Sequence, residues 1–319
     1  MEWNKEWRTL LFVLTFVIFI LTKNVIFGIL TLALMLWVVF DEVNTGIKNY
    51  GWKHEAIDTI VCGAIVLVFW FGLCFILNTR APVSAVASCS MLPNLERGDM
   101  VVVQGTEINT YKIEMSKKEF EQMSKMETTV KYGETKLPVM GSMYSYCNYL
   151  GNSQNELCTA FKNTPELFVE NKGLLTFHYS KCTIDFKKEG KAYYVPCVTS
   201  VSYKGEEYPV SLEHDTIVYR PEKGTYFSYV GDIIHRAYFE IDVEGEKYYL
   251  AKGDNNPVLD IQIYDYNYAK GNLPASKVYG KLIARIPYIG HLKLLLSALF
   301  NPTLFTPDSQ CNTQLNYQK

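Results

Sequence analysis

The chain reads as a mainly β, antiparallel domain set behind N-terminal transmembrane helices and interrupted by a mixed α/β insertion. Three features lead there. Apolar runs crowd the first 80 of its 319 residues, β-branched alternating segments follow residue 214, and a stretch of different texture separates these from an early strand. The modest overall hydrophobicity is therefore an average over two solvents.

The apolar runs are Thr9 to Thr22, Val25 to Phe40 and Ile60 to Leu77. A spanning helix needs roughly 20 predominantly apolar residues, with a lower limit of about 17. Only the third run, "IVCGAIVLVFWFGLCFIL", meets that without help. The first two are separated by Lys23 and Asn24 alone, so they form either a tight hairpin of two spans or one long interrupted helix. Residues 1–80 are thus expected to be an anchor of two or three transmembrane helices, the last over about 60–77. Lys48 and Lys53 place residues 41–59 in the cytoplasm and the large polar region outside, by the positive-inside tendency. Residues 9–22 do not suit a cleavable signal peptide, because more apolar sequence follows them instead of a small-residue cleavage site.

Beyond the anchor, Met100 to Gln104 reads as a short apolar strand and Thr216 to Arg220, in "HDTIVYRP", as another ended by proline. "DIIHRAYFEIDVEGEKYYLAKGDNN" gives two strands about a turn at Gly245, and "KVYGKLIARIPYIG" a further one. These define a β core made of residues 81–105 and 213–286, expected to be extracytoplasmic. Residues 106–212, rich first in lysine and glutamate and then in tyrosine, are expected to be an insertion or cap of mixed structure. The final segment, 287–319, opens with an apolar stretch interrupted by His291, Lys293, Asn301 and Pro302. It suits an interfacial segment on a bilayer better than a span.

The net charge of −2, without a basic block or a basic stripe interleaved with aromatics, points away from nucleic acid. No Cys/His spacing suits zinc and no Gly-rich phosphate loop occurs, so neither metal nor cofactor is expected. Of the eight cysteines, Cys62 and Cys74 lie in the third span, Cys89 and Cys311 stand apart, and Cys147, Cys158, Cys182 and Cys197 fall in one region. Cys182 and Cys197 are symmetric about Glu189-Gly190, a candidate hairpin turn that would set them opposite each other. An oxidising compartment would permit a cross-strand disulfide there; four buried free thiols are the alternative.

A nucleophilic hydrolase needs a hydroxyl or thiol, a base within hydrogen-bond reach, and donors aimed at the developing oxyanion. Ser90, in "ASCSMLPNLERGDMVVV", precedes a Met-Leu-Pro sequence that stops any helix and fixes a turn. Serines taken alone are usually inert, so context must carry the case. Five histidines are available. His54 falls in the cytoplasmic segment, His178 in the insertion, His291 in the apolar tail, and His214 before a strand beside Asp215. His235 remains, inside a core strand, although a histidine so placed is more often structural than a base. Asp254 and Asp260, in "KGDNNPVLD", are carboxylates able to orient an imidazole, or simply to cap turns.

In this order, and behind an apolar span, these segments resemble the type I signal peptidase family, in its archaeal and endoplasmic-reticulum branch. "SCSMLPNLERGDMVVV" resembles the family's Ser-x-Ser-Met-x-Pro-Thr-Leu box with the Gly-Asp and strand after it. "DTIVYRP" is similar to the strand that follows. "DIIHRAYFEI" resembles the box where this branch has His-Arg and bacterial enzymes have a lysine base. "AKGDNNPVLD" with "KVYGKLIARIPYIG" resembles the last boxes. The likeness covers residues 60–105 and 214–292 and omits the insertion.

The resemblance implies a coiled antiparallel β-sheet of signal peptidase type and a role for each matching residue. Ser90 would attack the scissile carbonyl, and His235 would take its proton. Asp260 would orient the histidine, with Asp254 sharing or replacing that role, and Ser88 would assist the oxyanion beside the Ser90 backbone amide. The implied substrates are secreted or membrane preproteins, cut after small residues at the extracytoplasmic face of a cell membrane or the lumenal face of an endomembrane. The bilayer is the second partner; the secretion translocon or accessory subunits are further candidates. The chain departs from the family in Asn94, where threonine is usual, in Cys89, which offers a rival thiol nucleophile, in Pro257, and in the size of the insertion. Two other functions stand beside this one: a non-catalytic receptor or assembly factor acting through the insertion, and a membrane peptidase of narrow specificity.

Overall fold

A computed structural model describes residues 3–149, 152, 154–186, 190–265, 270–301 and 309–317. In chain order its elements are α1 (Trp3–Thr22), α2 (Val25–Tyr50), α3 (Trp52–Ile76), β1 (Val83–Ala85), β2 (Met100–Gln104) and β3 (Tyr111–Glu114). There follow α4 (Lys117–Ser124), β4 (Glu127–Tyr132), β5 (Thr135–Met140), α5 (Met143–Tyr149), α6 (Glu156–Asn163), β6 (Phe168–Lys172), β7 (Leu175–Phe186), β8 (Lys191–Tyr203) and β9 (Glu206–Pro209). The chain ends with β10 (Thr216–Arg220), β11 (Ile233–Val243), β12 (Glu246–Lys252), β13 (Tyr264–Asp265), β14 (Lys270–Gly271), β15 (Lys277–Ile286), α7 (Gly290–Ala298) and β16 (Thr313–Tyr317). The sheets are mostly antiparallel, and about 38% of the chain is helical, a larger share than a mainly β domain implies because the N-terminal helices are long.

The chain forms two compact units, the first over Met1–Ala87, Arg97–Val102 and Ala284–Asp308. Within it, Lys23 and Asn24 separate two helices, which settles the open alternative in favour of a helical pair. Asn24 caps α2 by accepting from the Ile26 N–H at 2.9 Å. Arg8 pairs with Asp41 and stacks over the Trp37 ring at 4.8 Å, which joins α1 to α2. The helices extend beyond the apolar runs: residues 41–59 are helical except at Gly51, where α2 ends and α3 begins. Among the described residues, α2 and α3 are long and apolar enough to cross a membrane. No residue of α3 is buried, so its apolar side chains face outward all round, as in a helix solvated by lipid.

In the same unit β1 pairs antiparallel with β2. The Gly98 N–H bonds to the Val86 carbonyl and the Val86 N–H to the Asp99 carbonyl, both at 2.9 Å, so Gly98-Asp99 delivers the chain into β2. Arg285 pairs with the buried Asp99 at 2.7 Å. The helix α7 spans nine residues, too short to cross a bilayer, and its buried His291 accepts from Lys23 Nζ at 2.9 Å. Burial and the neighbouring ammonium push that imidazole down to about 4, so it is a neutral acceptor.

The second unit covers Ser88–Glu96, Val103–Ile283 and Ser309–Lys319. One sheet runs β15, β10, β11, β12, with β3 added to β11 as a parallel exception. A second sheet runs β5, β4, β6, β7, β8, β9, with β16 on β7. The segment expected as an insertion supplies β4 to β9 of this second sheet, three α-helices and β3. It does not stand apart: Phe161, Phe168 and Phe177 share one core with Phe239, Ile241, Leu250 and Leu259. In the tail, Thr313–Tyr317 adds a strand to this sheet by pairing antiparallel with β7.

The long β7–β8 hairpin corrects one expectation. Cys182 and Cys197 form a disulfide, as do Cys147–Cys158 and Cys89–Cys311. They are not opposite each other, however; Cys182 pairs with Val195 and Cys197 with Ser180. Glu189 of the proposed turn lies outside the described residues. The last described pair, Phe186↔Lys191, centres the hairpin one residue earlier than symmetry about Glu189-Gly190 requires, and the disulfide therefore runs diagonally.

Candidate active site

The strand β11 carries His235 because its β-branched and aromatic residues suit a pleated, buried element. His235 lies opposite Ile217 of β10, so Tyr219, two residues further on, shares its face of the sheet. A bulge between Val218 and Tyr219 in the pairing with β15 adjusts this face. Gly280 makes the bulge possible: its φ is +148°, and a Cβ there would sit 2.1 Å from the Gln104 carbonyl oxygen.

Three residues distant in sequence converge on this strand. The Ser90 hydroxyl lies 2.9 Å from His235 Nε2, and His235 Nδ1 lies 2.7 Å from Asp260 Oδ2. A carboxylate only accepts, so Nδ1 carries the proton and Nε2 is free to accept from Ser90. All three side chains are buried, His235 and Asp260 each only 4% exposed. Tyr219 donates a second hydrogen bond to Asp260 Oδ2 at 2.7 Å. Burial and the carboxylate hold its phenol well above the ordinary range, so it remains a donor. Asp260 stands on a single 3-10 turn over Asp260–Gln262, and Asn272 Nδ2 donates to its carbonyl at 2.9 Å. The Ser88 hydroxyl is 3.1 Å from Ser90 Oγ. Since Ser90 spends its hydrogen on His235, Ser88 is the donor of that pair.

Asp254 does not join this chain. Arg236 holds it bidentately, Nε to Oδ1 at 2.8 Å and Nη2 to Oδ2 at 2.7 Å, and Asn94 Nδ2 donates to Oδ2 at 2.7 Å. Asp254 thereby ties the loop that follows Ser90 to β11, and Asn94 serves this tie. Lys252, directly across from Arg236 on β12, is buried and donates to the Gly253 carbonyl at 3.1 Å. Burial pulls its ammonium down to about 8 against the opposing pull of Asp254 and Asp260.

The other histidines are occupied elsewhere. His54 lies 3.1 Å from Asp58, His178 bonds to Ser202, His214 to the Ala237 carbonyl, and His291 to Lys23. The rival thiol nucleophile is overturned: Cys89 is disulfide-bonded to Cys311 and has no thiolate to offer. Among the described residues no group of His, Cys, Asp and Glu is arranged to hold a metal ion.

Sequence reasoning missed Tyr219 and Arg236. Tyr219 and Arg236 lie within the quoted strands; only the cross-strand register puts Tyr219 on the face of His235, whereas an arginine's need for a carboxylate could have marked Arg236. Compared with known protein families and characterised proteins, the chain matches none.

Proposed function

We propose that the chain is a membrane-bound serine endopeptidase of signal peptidase I type, removing N-terminal signal peptides from preproteins at the extracytoplasmic membrane face. The hydrogen-bonded chain Ser90–His235–Asp260 is the observation that carries this reading. Ser90 Oγ attacks the carbonyl carbon as its proton passes to His235 Nε2. Asp260 holds the other ring nitrogen's proton and stabilises the imidazolium. The tetrahedral oxyanion is met by the Ser90 backbone N–H and the Ser88 hydroxyl. Collapse breaks the C–N bond, and His235 returns the proton to the leaving amine. Water, deprotonated by the same histidine, then hydrolyses the Ser90 ester and restores the enzyme.

The short chain distance from the end of α3 at Ile76 to Ser90 suits a signal peptide, whose apolar core stays in the bilayer while its cleavage site emerges. Lys48 and Lys53 favour a cytoplasmic α2–α3 junction, hence a multi-pass anchor with the second unit outside. Three disulfides in that unit suit an oxidising compartment. A receptor or assembly factor has no use for a buried Ser–His–Asp chain, so the catalytic reading is preferred.

The test is cleavage of a model preprotein by membranes bearing the wild-type chain, Ser90→Ala, His235→Ala or His235→Lys at matched abundance. Both alanine variants should lose at least about 10³-fold in rate, since members of such a unit fail together. Rescue by His235→Lys would show interchange with a lysine base. Undiminished cleavage by Ser90→Ala sinks the assignment.

A further inference from the structure

Beside the triad lies a set of contacts that proton transfer does not use. The Asn255 backbone N–H donates to the Ser90 carbonyl at 2.7 Å, and its side-chain Nδ2 donates to the Cys89 carbonyl at 3.1 Å. The Cys89 carbonyl and the Ser90 N–H belong to one planar trans peptide, so they point in opposite directions. Whatever fixes the carbonyl therefore fixes the direction of the N–H. Donation to the carbonyl also polarises the peptide and strengthens that N–H as a donor.

Asn255 is itself held from the far end of the chain. The Leu315 N–H donates to its Oδ1 at 2.7 Å, and Nδ2 donates again to the Thr313 carbonyl at 3.1 Å. Both groups lie on β16, which pairs with β7 from Thr313↔Phe186 to Tyr317↔Cys182. Cys311, just before this strand, is joined to Cys89, with Cα atoms 4.9 Å apart at a sequence separation of 222. The buried amide thus spends its acceptor and both donors on backbone groups of two segments that a disulfide also ties together. An asparagine that merely capped its own loop would not bridge them.

We propose that Asn255 is a positioning residue that aims the Ser90 backbone N–H at the developing oxyanion, and that β16, fastened by Cys89–Cys311, is the strap that holds Asn255 in place. This rests on the peptidase reading of Ser90. The C-terminal strand then acts on the rate of the chemical step without touching substrate.

The experiment uses the full chain in phospholipid–detergent micelles, with a preprotein peptide bearing alanine at the first and third positions before the cut. Asn255→Ala should lower kcat by about 10- to 100-fold, less than outright loss of an oxyanion donor, and leave KM within about threefold. Cys311→Ser, which keeps the amide but unties its strap, should lower kcat by about three- to tenfold in the same manner. Affinity for a substrate-like peptide boronate, whose tetrahedral adduct on Ser90 Oγ needs the same donors, should fall with kcat, while affinity for the cleaved product peptide holds. A purely structural loss would move both affinities together. The proposal is overturned if kcat and boronate affinity stay within twofold in both variants while Ser90→Ala is inactive. Should Asn255→Ala not accumulate, Cys311→Ser decides by the same numbers. Cleavage by Ser90→Ala would instead remove the peptidase reading itself.

Discussion

Asp254 and Asp260 stand six positions apart in one loop, and their partners give them different work. Asp260 faces His235 and Tyr219, whereas both oxygens of Asp254 are taken by Arg236 and Asn94. An amide at position 260 can donate to Nδ1 and so favour the wrong imidazole tautomer. Asp260→Asn should therefore lower kcat by about 10³- to 10⁴-fold while unfolding in denaturant stays near wild type. Asp254→Asn leaves Arg236 largely buried without its counter-charge. It should cost about 3–5 kcal/mol of stability, as breaking a buried pair does. Measuring kcat and unfolding for both variants checks the division; a catalytic loss at 254 with stability intact would reverse it.

The 3-10 turn that carries Asp260 is held by the segment read from sequence as an insertion. The Ser142 and Ser145 hydroxyls donate to the Gln262 carbonyl at 2.6 and 2.7 Å. Gln262 Nε2 donates to Glu170 at 3.1 Å and to the Tyr179 oxygen at 2.8 Å, and Tyr179 donates onward to Glu170 at 2.6 Å. Burial pushes the Glu170 carboxyl up, with those donors opposing it. A network of this kind is stable only when every member is satisfied. Gln262→Ala removes a donor from two buried acceptors and should cost about 1–3 kcal/mol in denaturant unfolding. It should also lower kcat severalfold, because the turn beneath Asp260 loses its side-chain anchor. Unchanged kcat at reduced stability would mean that β10 and β11 alone fix Asp260.

At the scale of the whole molecule, the two units dispose their apolar residues differently. The helices α2 and α3 leave apolar side chains outward, whereas the second unit buries its apolar residues and closes three disulfides. That unit also buries two lysines, Lys172 and Lys252, whose ammonium groups burial pulls down to about 8. Unfolded, each titrates near about 10.4. Between about pH 8 and pH 10 the unfolded chain therefore holds more protons than the folded one, and these groups make stability rise with pH. Below about pH 8 both states are protonated and the full cost of burial remains. Lys252→Met should thus unfold at higher denaturant than wild type at pH 7, with the difference shrinking toward pH 10. A difference independent of pH between about 7 and 10 would show that burial does not depress the Lys252 ammonium.

The apolar runs and the strands of the β core were legible because they depend on residues close in the chain, whereas the helix ends lie beyond the apolar runs. Lys23-Asn24 interrupts the apolar helical run, and the β-branched and aromatic residues of β11 suit a strand that is buried on both faces. Partner choice was another matter. Asp254 and Asp260 look alike in sequence, and only the register of β10 against β11 brings Tyr219 to one while the neighbouring Arg236 claims the other. Cys89 with Cys311, and Asn255 with Leu315, join points whose separation carries no periodic signal. The one-residue shift in the β7–β8 hairpin turned an expected opposite pair into a diagonal one. Local sequence determines which elements form, because their hydrogen bonds close over a few residues; the site's second partners were decided by packing, because buried polar groups must find donors wherever the folded chain puts them.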